Sequence, residues 1–202
     1  MVNTMELKAK FGNHKLGEDI LIFNMGTAKA CPSLKLGMCN AVKTGVKCYA
    51  LKPEIQYKDR VVHYRTQQKE YWDSTSATKI ANDIVKKIWT RRGKATKYFR
   101  FNEASDFHSQ KDVDKLSKIA YKLKNFNIIT FGFTSRKDLD FTDVNFLVKG
   151  SGFTIKTGGN GTTTIVKKGE NIPTGFFQCK ESCKICDYCM TNDSKNIAFK
   201  QH

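Results

Sequence analysis

The stretch KYFRFNEASDFHSQKDVDKLSKIAYKLKNFNIITFGFTSR, residues 97–136, reads as a complete strand–helix–strand unit. KYFRF, 97–101, is a short aromatic run that enters the polar turn NEASDFHSQKD. Ser109 with Asp112 three positions on makes a capping box, which starts a helix. Val113, Leu116, Ile119, Ala120 and Leu123 then repeat along one face of it. NIITFGF, 127–133, is a second strand, followed by TSRKDLD. A helix between two strands carries the chain back to its starting edge, so the strands lie parallel in one sheet.

Working outward, DILIFN at 19–24 reads as an earlier strand, and EIQYKDRVVHYRTQQKEYW at 54–72 as a helix. Residues 76–91 form a clearer one: Ala77, Ile80, Ala81, Ile84, Val85, Ile88 and Trp89 recur at helical spacing, and RRGK closes it. FTIKT at 153–157, ending at GGNG, and TTTIVKK after it read as further strands. The expected class is therefore α/β: a partial (β/α) barrel, or an open, mostly parallel sheet with helices. A full eight-unit barrel usually takes about 250 residues, more than the 202 present. Neither repeat nor linker divides the chain. One domain, 1–202, is expected, with a cysteine loop at 25–50 and a cysteine tail at 175–190.

The formal charge is +16, from 35 basic and 19 acidic residues. That balance suits a nucleic acid or another acidic surface. Tyr57, Tyr64, Tyr71 and Trp72, interleaved with Lys58, Arg60, Arg65 and Lys69, could stack bases, or equally form an amphipathic helix face. The start carries no apolar run resembling a signal sequence, and ILIF at 20–23 and FNIITFGF at 126–133 are too short to cross a bilayer. A soluble, cytoplasmic protein with no membrane partner is the expectation.

In such folds ligand sites form where strands end. The polar residues expected there are Asn24, then Asn102, Glu103, Ser105 and Asp106, then Thr134, Ser135 and Arg136, then Thr157 to Gly161. From this set Asn102, Ser135, Gly158 and Gly159 are candidate cofactor-binding residues. Glu103 and Asp106 are candidates for proton transfer. Arg136 offers a rigid fork of donors to a carboxylate or phosphate.

Seven cysteines fall into two groups, with 130 cysteine-free residues between them. An odd number forbids complete internal disulfide pairing, and clustered cysteines in a cytosolic chain more often ligate metal. The tail run is Cys179-x3-Cys183-x2-Cys186-x2-Cys189. A structural zinc site takes two short pairs separated by a spacer, whereas close packing of this kind resembles the loops that wrap an iron–sulfur cubane. A [4Fe–4S] cluster is therefore expected in the tail, with zinc as the alternative metal. Cys31-x7-Cys39-x8-Cys48 matches no zinc knuckle, but three thiolates among glycines can wrap a second cluster. Two cubanes ligated only by cysteine need eight thiolates. With seven, one iron keeps an exchangeable position for substrate, cofactor or a protein ligand such as His63 or His108. Loop and tail are expected to meet over the carboxyl ends of the strands.

The tail also contains the three-cysteine pattern of radical S-adenosylmethionine enzymes, Cys179-x3-Cys183-x2-Cys186. In those enzymes it follows the first barrel strand. Only thirteen residues follow Cys189, so no barrel can be built after it. The loop at 25–50 has the right place and a different spacing.

ACPSLKLGMCNAVKTGVKCYA, FRFNEASDFHS, FTSR and the cysteine-rich tail together resemble the phage "gene product 88" family, over most of residues 12–190. The chain departs from that pattern in carrying Ser105 where glycine would precede Asp106 and Phe107. The resemblance implies a phage-encoded protein acting in the cytoplasm of an infected host, a distant likeness to a shortened radical S-adenosylmethionine barrel, and an iron–sulfur centre; an electron donor is a candidate partner for such a centre. It implies no particular reaction, and the altered cysteine spacing argues against S-adenosylmethionine cleavage. The rival expectation is a basic protein that binds nucleic acid or a host factor, its metal sites serving only the fold.

Overall fold

The computed structural model describes residues 5–90, 96–155, 161–191 and 195–201. In chain order the elements are β1 (Lys10–Phe11), β2 (Ile20–Phe23), α1 (Pro32–Lys35), α2 (Asn40–Lys43), α3 (Leu51–Gln56), α4 (Lys58–Ser74) and α5 (Ala77–Trp89). There follow β3 (Tyr98–Phe101), α6 (Gln110–Lys124), β4 (Ile129–Thr134), β5 (Leu147–Ser151), β6 (Thr162–Val166), β7 (Phe176–Gln178), α7 (Tyr188–Thr191) and β8 (Asn196–Lys200).

These strands form one mixed sheet of eight, in the order β1-β2-β3-β4-β5-β6-β8-β7. Only the β1–β2 pair is antiparallel. From β2 to β6 the strand order follows the sequence order without reversal. The α/β class and the largely parallel sheet are thus as the sequence reads.

Alternation along the strands sends side chains to two faces. Leu21, Phe23, Phe99, Phe101 and Val148 pack with Tyr71 and Trp72 of α4, with Ile80 and Ile84 of α5, and with Val113, Leu116 and Ile119 of α6. The three long helices therefore cover one face. Ile20, Ile22, Tyr98 and Phe131 point to the other, where Leu16, Met190, Cys183 and Cys189 cover them. The helical side is pinned by polar contacts as well: the Asp112 carboxylate accepts from the Ser109 N–H at 3.1 Å and from the Trp72 indole at 2.8 Å.

Several readings are corrected. The helix expected at 54–72 is two, α3 and α4, broken at Tyr57, whose φ of −128° and ψ of 49° are not helical. Tyr71 and Trp72 lie in the core, and Arg65 is buried in an ion pair with Glu54, so the aromatic and basic platform along α4 is not formed. The fifth strand is 147–151, ahead of the expected FTIKT: residues 153–155 are not strand, and 156–157 lie outside the described residues. Nor does the cysteine run hang free. It is the crossover between the parallel strands β7 and β8, both paired into the sheet.

Candidate functional site

Each loop cysteine stands just before a short helical segment. Cys31 is the N-cap of α1, Cys39 the N-cap of α2, and Cys48 stands three positions ahead of Leu51, the first residue of α3. The Leu34 N–H donates to the Cys31 carbonyl at 3.2 Å and the Leu51 N–H to the Cys48 carbonyl at 3.1 Å, and backbone N–H groups near each sulfur favour its thiolate. Burial, with Asp106 and Cys39 nearby, pushes the Cys31 thiol up to about 12, and burial raises Cys48 too. Cys39 lies within electrostatic reach of both. Burial keeps the Cys31 and Cys48 thiols protonated on their own, with Cys39 close by, and a metal would displace those protons.

Two buried carboxylates fasten this loop. Glu54, on α3, accepts from the Ala28 N–H at 2.6 Å, the Lys29 N–H at 3.2 Å and the Arg65 guanidinium at 2.5 Å. Arg65 also donates to the Ala50 carbonyl at 2.8 Å. Asp106, at the end of β3, accepts from the Ser33 hydroxyl at 2.6 Å, the Thr134 hydroxyl at 2.7 Å, and the N–H groups of Ser135 and Phe107 at 2.8 and 2.9 Å. Burial pushes the Asp106 pKa up while these donors pull against it. Four donors leave this carboxylate no free face for proton transfer, so its geometry is that of a clamp between the loop and two strand ends. A third contact is steric. Gly152, at φ +79°, lies so close to Asn40 that a Cβ there would stand 2.3 Å from its Oδ1, seating α2 beside β5.

The other expected pocket residues are also engaged. Arg136 holds Asp138 with two donors, at 2.8 and 2.7 Å, and donates to the Phe107 carbonyl. The guanidinium therefore braces the Asp106 turn, and its fork is used within the chain. Asn102 has φ +65° and accepts from the Met25 N–H at 3.2 Å. Ser135 offers its hydroxyl to the Asn40 N–H at 3.5 Å. Glu103 takes the Asn13 amide at 2.6 Å and Lys10 at 3.2 Å. Burial raises its pKa, yet Lys10 and Arg100 outweigh that and hold it below the ordinary carboxylate value. Gly158 and Gly159 lie outside the described residues. His63 is exposed on α4, and a ring nitrogen of His108 lies 3.3 Å from the Met25 carbonyl.

The second cysteine group lies elsewhere. The Cys183 N–H bonds the Lys15 carbonyl at 2.8 Å, ahead of β2, and Asp187 and Cys189 lie close to Tyr98, the first residue of β3. The cysteine run thus sits toward the amino ends of β2 and β3, not with the loop at their carboxyl ends. Cys183 and Cys189 share a hydrogen bond, which draws the Cys183 thiol down to about 7 and raises Cys189. Cys179, raised by burial, senses Cys183 and Cys186, and its sulfur accepts from the Glu181 N–H at 3.3 Å. None of the seven cysteines forms a disulfide.

Between the groups stands a cation, Arg100. Arg100 shares its face of the sheet with Ile22 and Phe131, its guanidinium 5.6 Å from the Phe133 ring centre. Its charge reaches Cys183 and Cys189 on one side, Glu103 and Tyr49 on the other. Sequence reasoning passed over Arg100, Glu54 and Ser33. A signal existed for two of them: a lone cation inside YFRF, and the only carboxylate between residues 25 and 58.

Among the described residues, no three His, Cys, Asp or Glu side chains are gathered tightly enough to hold a single ion. No described helix is long and apolar enough to cross a membrane. Comparison with family models, curated proteins and solved structures finds no match for this chain.

Proposed function

We propose that this chain is an iron–sulfur protein with two separate centres on a shortened (β/α) barrel. Cys179, Cys183, Cys186 and Cys189 would hold a fully thiolate-ligated [4Fe–4S] cluster. Cys31, Cys39 and Cys48 would hold a second, with one iron open to substrate or cofactor. Such groups supply electron storage and, at an open iron, direct coordination of a ligand. The chain's own residues supply the rest: Asp106 and Glu54 hold the loop in place, Glu103 stays ionised beside Lys10, and Arg100 sets positive charge between the centres.

The observation that carries the reading is the grouping itself: three cysteines opening three successive short helical segments, and four on one crossover, at opposite ends of the same strands. Curvature of the sheet supports the barrel. Seven strands from β2 to β7 laid flat would span about 29 Å, six spacings of about 4.8 Å. Yet Cys179, following β7, is only four residues from Cys183, which bonds Lys15 beside β2. Four residues reach at most about 14 Å. The sheet therefore curls, and the cysteine crossover passes across its concave side. One detail supports the resemblance to the phage family: Ser105, at the position where that pattern carries glycine, has φ +68°.

The test is iron, acid-labile sulfide and zinc per chain on protein purified without oxygen. About eight irons and eight sulfides, two cubanes' worth, bear the reading out. Zinc without sulfide overturns it.

A further inference from the structure

The segment that carries the loop cysteines has a surface unlike the rest of the chain. Between residues 25 and 58 there are six lysines, Lys29, Lys35, Lys43, Lys47, Lys52 and Lys58, and all are exposed. Glu54 is the only carboxylate there, and it is buried against Arg65, so it offsets none of that charge at the surface. The same segment exposes Leu36, Val42, Tyr49, Ile55 and Tyr57. Tyr49 is the most defined of these. Its hydroxyl is tucked down to donate to the Glu103 carbonyl at 2.7 Å, while the residue as a whole stays 65% exposed immediately after Cys48.

We propose that this lysine-rich cap is a binding face for single-stranded nucleic acid, with Tyr49 as its stacking platform beside the three-cysteine site. A ring fixed at its hydroxyl offers a π-face with little further ordering cost, and base stacking on such rings tolerates any sequence. Exposed lysines are point charges that follow a phosphate backbone. A duplex keeps its bases inside the stack, out of reach of Tyr49. The proposal goes beyond the iron–sulfur reading and does not depend on it, because the lysines and the tyrosine are in place whatever the cysteines hold.

The experiment is fluorescence anisotropy of a labelled single-stranded oligonucleotide of about 15 nucleotides with the full chain, across about 50 to 200 mM salt. Three variants are compared: K35Q/K43Q/K47Q on the cap, K111Q/K118Q/K124Q as an equal charge change on α6, and Tyr49→Ala, with Tyr49→Phe keeping the ring. The cap triple is expected to weaken binding by about tenfold or more and to lower the salt slope by about 2, at about 0.7 per lost phosphate contact. Tyr49→Ala is expected to cost about tenfold with the slope unchanged, and Tyr49→Phe to retain most of the affinity. Equal losses from the two lysine triples would show attraction by net charge alone and overturn the proposal. So would an unchanged Tyr49→Ala affinity, or displacement of the oligonucleotide by polyglutamate as readily as by unlabelled strand, which would assign the face to an acidic protein. Iron per chain on the same preparations keeps this result separate from the fate of the metal centres.

Discussion

The two cysteine groups are held in opposite ways. The loop group is fixed by polar clamps, Glu54 and Asp106, each reaching across long sequence distances to bind backbone and hydroxyl donors. The crossover group rests on apolar surface: Cys183 and Cys189 pack on Leu16, Ile20, Ile22, Tyr98 and Phe131, and the chain on either side is strand. One is a braced cap over the strand ends with an exposed aromatic at its rim. The other lies against the sheet face opposite the three long helices. The difference teaches that one fold can position two part-buried thiol groups by different means, polar clamps for the loop and apolar surface for the crossover.

The largest effect expected is from removing a clamp. Asp106→Ala strands the buried Ser135 and Phe107 N–H groups and should cost about 3–5 kcal/mol, read by denaturant unfolding. It should loosen the loop cysteines toward alkylation while leaving the crossover cysteines as protected as before. Equal exposure of both groups would erase the distinction drawn here. Next is Arg100→Gln. Removing a cation beside Cys183 and Cys189 should lower the midpoint potential of the crossover centre by tens of millivolts, about 1–2 kcal/mol. A redox titration followed by electron paramagnetic resonance measures it, and an unshifted potential removes Arg100 from the account.

Glu103 gives a pH signature. Its folded pKa lies below the ordinary value near 4.3, so the stability it contributes is present above that value and is lost as pH falls through the lower folded one. Glu103→Gln should flatten the acid limb of Tm against pH below about 5, and an unchanged limb would deny it that role. The smallest effect concerns Ser105. At φ +68°, with its hydroxyl buried and unpartnered, serine is strained where glycine would be relaxed. Ser105→Gly should add about 0.5–1 kcal/mol, roughly 2–3 °C in Tm for a chain of this size. A fall in Tm would show that the hydroxyl has a partner of its own.

Much of this was legible beforehand, and unevenly. Helices α5 and α6 could be read because each packs one face on the sheet, which imposes the 3.6-residue repeat. The parallel unit from β3 to β4 followed from the helix between them. Strand β5 was not legible: LVKGS hides a fully buried Lys149 and a glycine whose Cβ would strike the Phe153 carbonyl, so neither hydrophobicity nor alternation marks it. The crossover read as a free tail because β7 and β8 are only three and five residues long, too short to mark themselves by alternation. At the site, polar residues at strand ends were visible, but their roles were not. Asp106 became a clamp because Ser33 reaches it from 73 positions away, and a pairing of that range leaves no local mark.

The most direct test of two separate centres is iron and sulfide per chain, with low-temperature electron paramagnetic resonance of the reduced protein, in two group variants: Cys31, Cys39 and Cys48 all to Ser, and Cys183, Cys186 and Cys189 all to Ser. The account predicts that each loses about half the iron and sulfide of the parent, about four of each, and that the two residual spectra differ and together make up the parent's. Loss of all iron from either variant would contradict it, as would no loss from one of them, for then the seven cysteines would serve a single site.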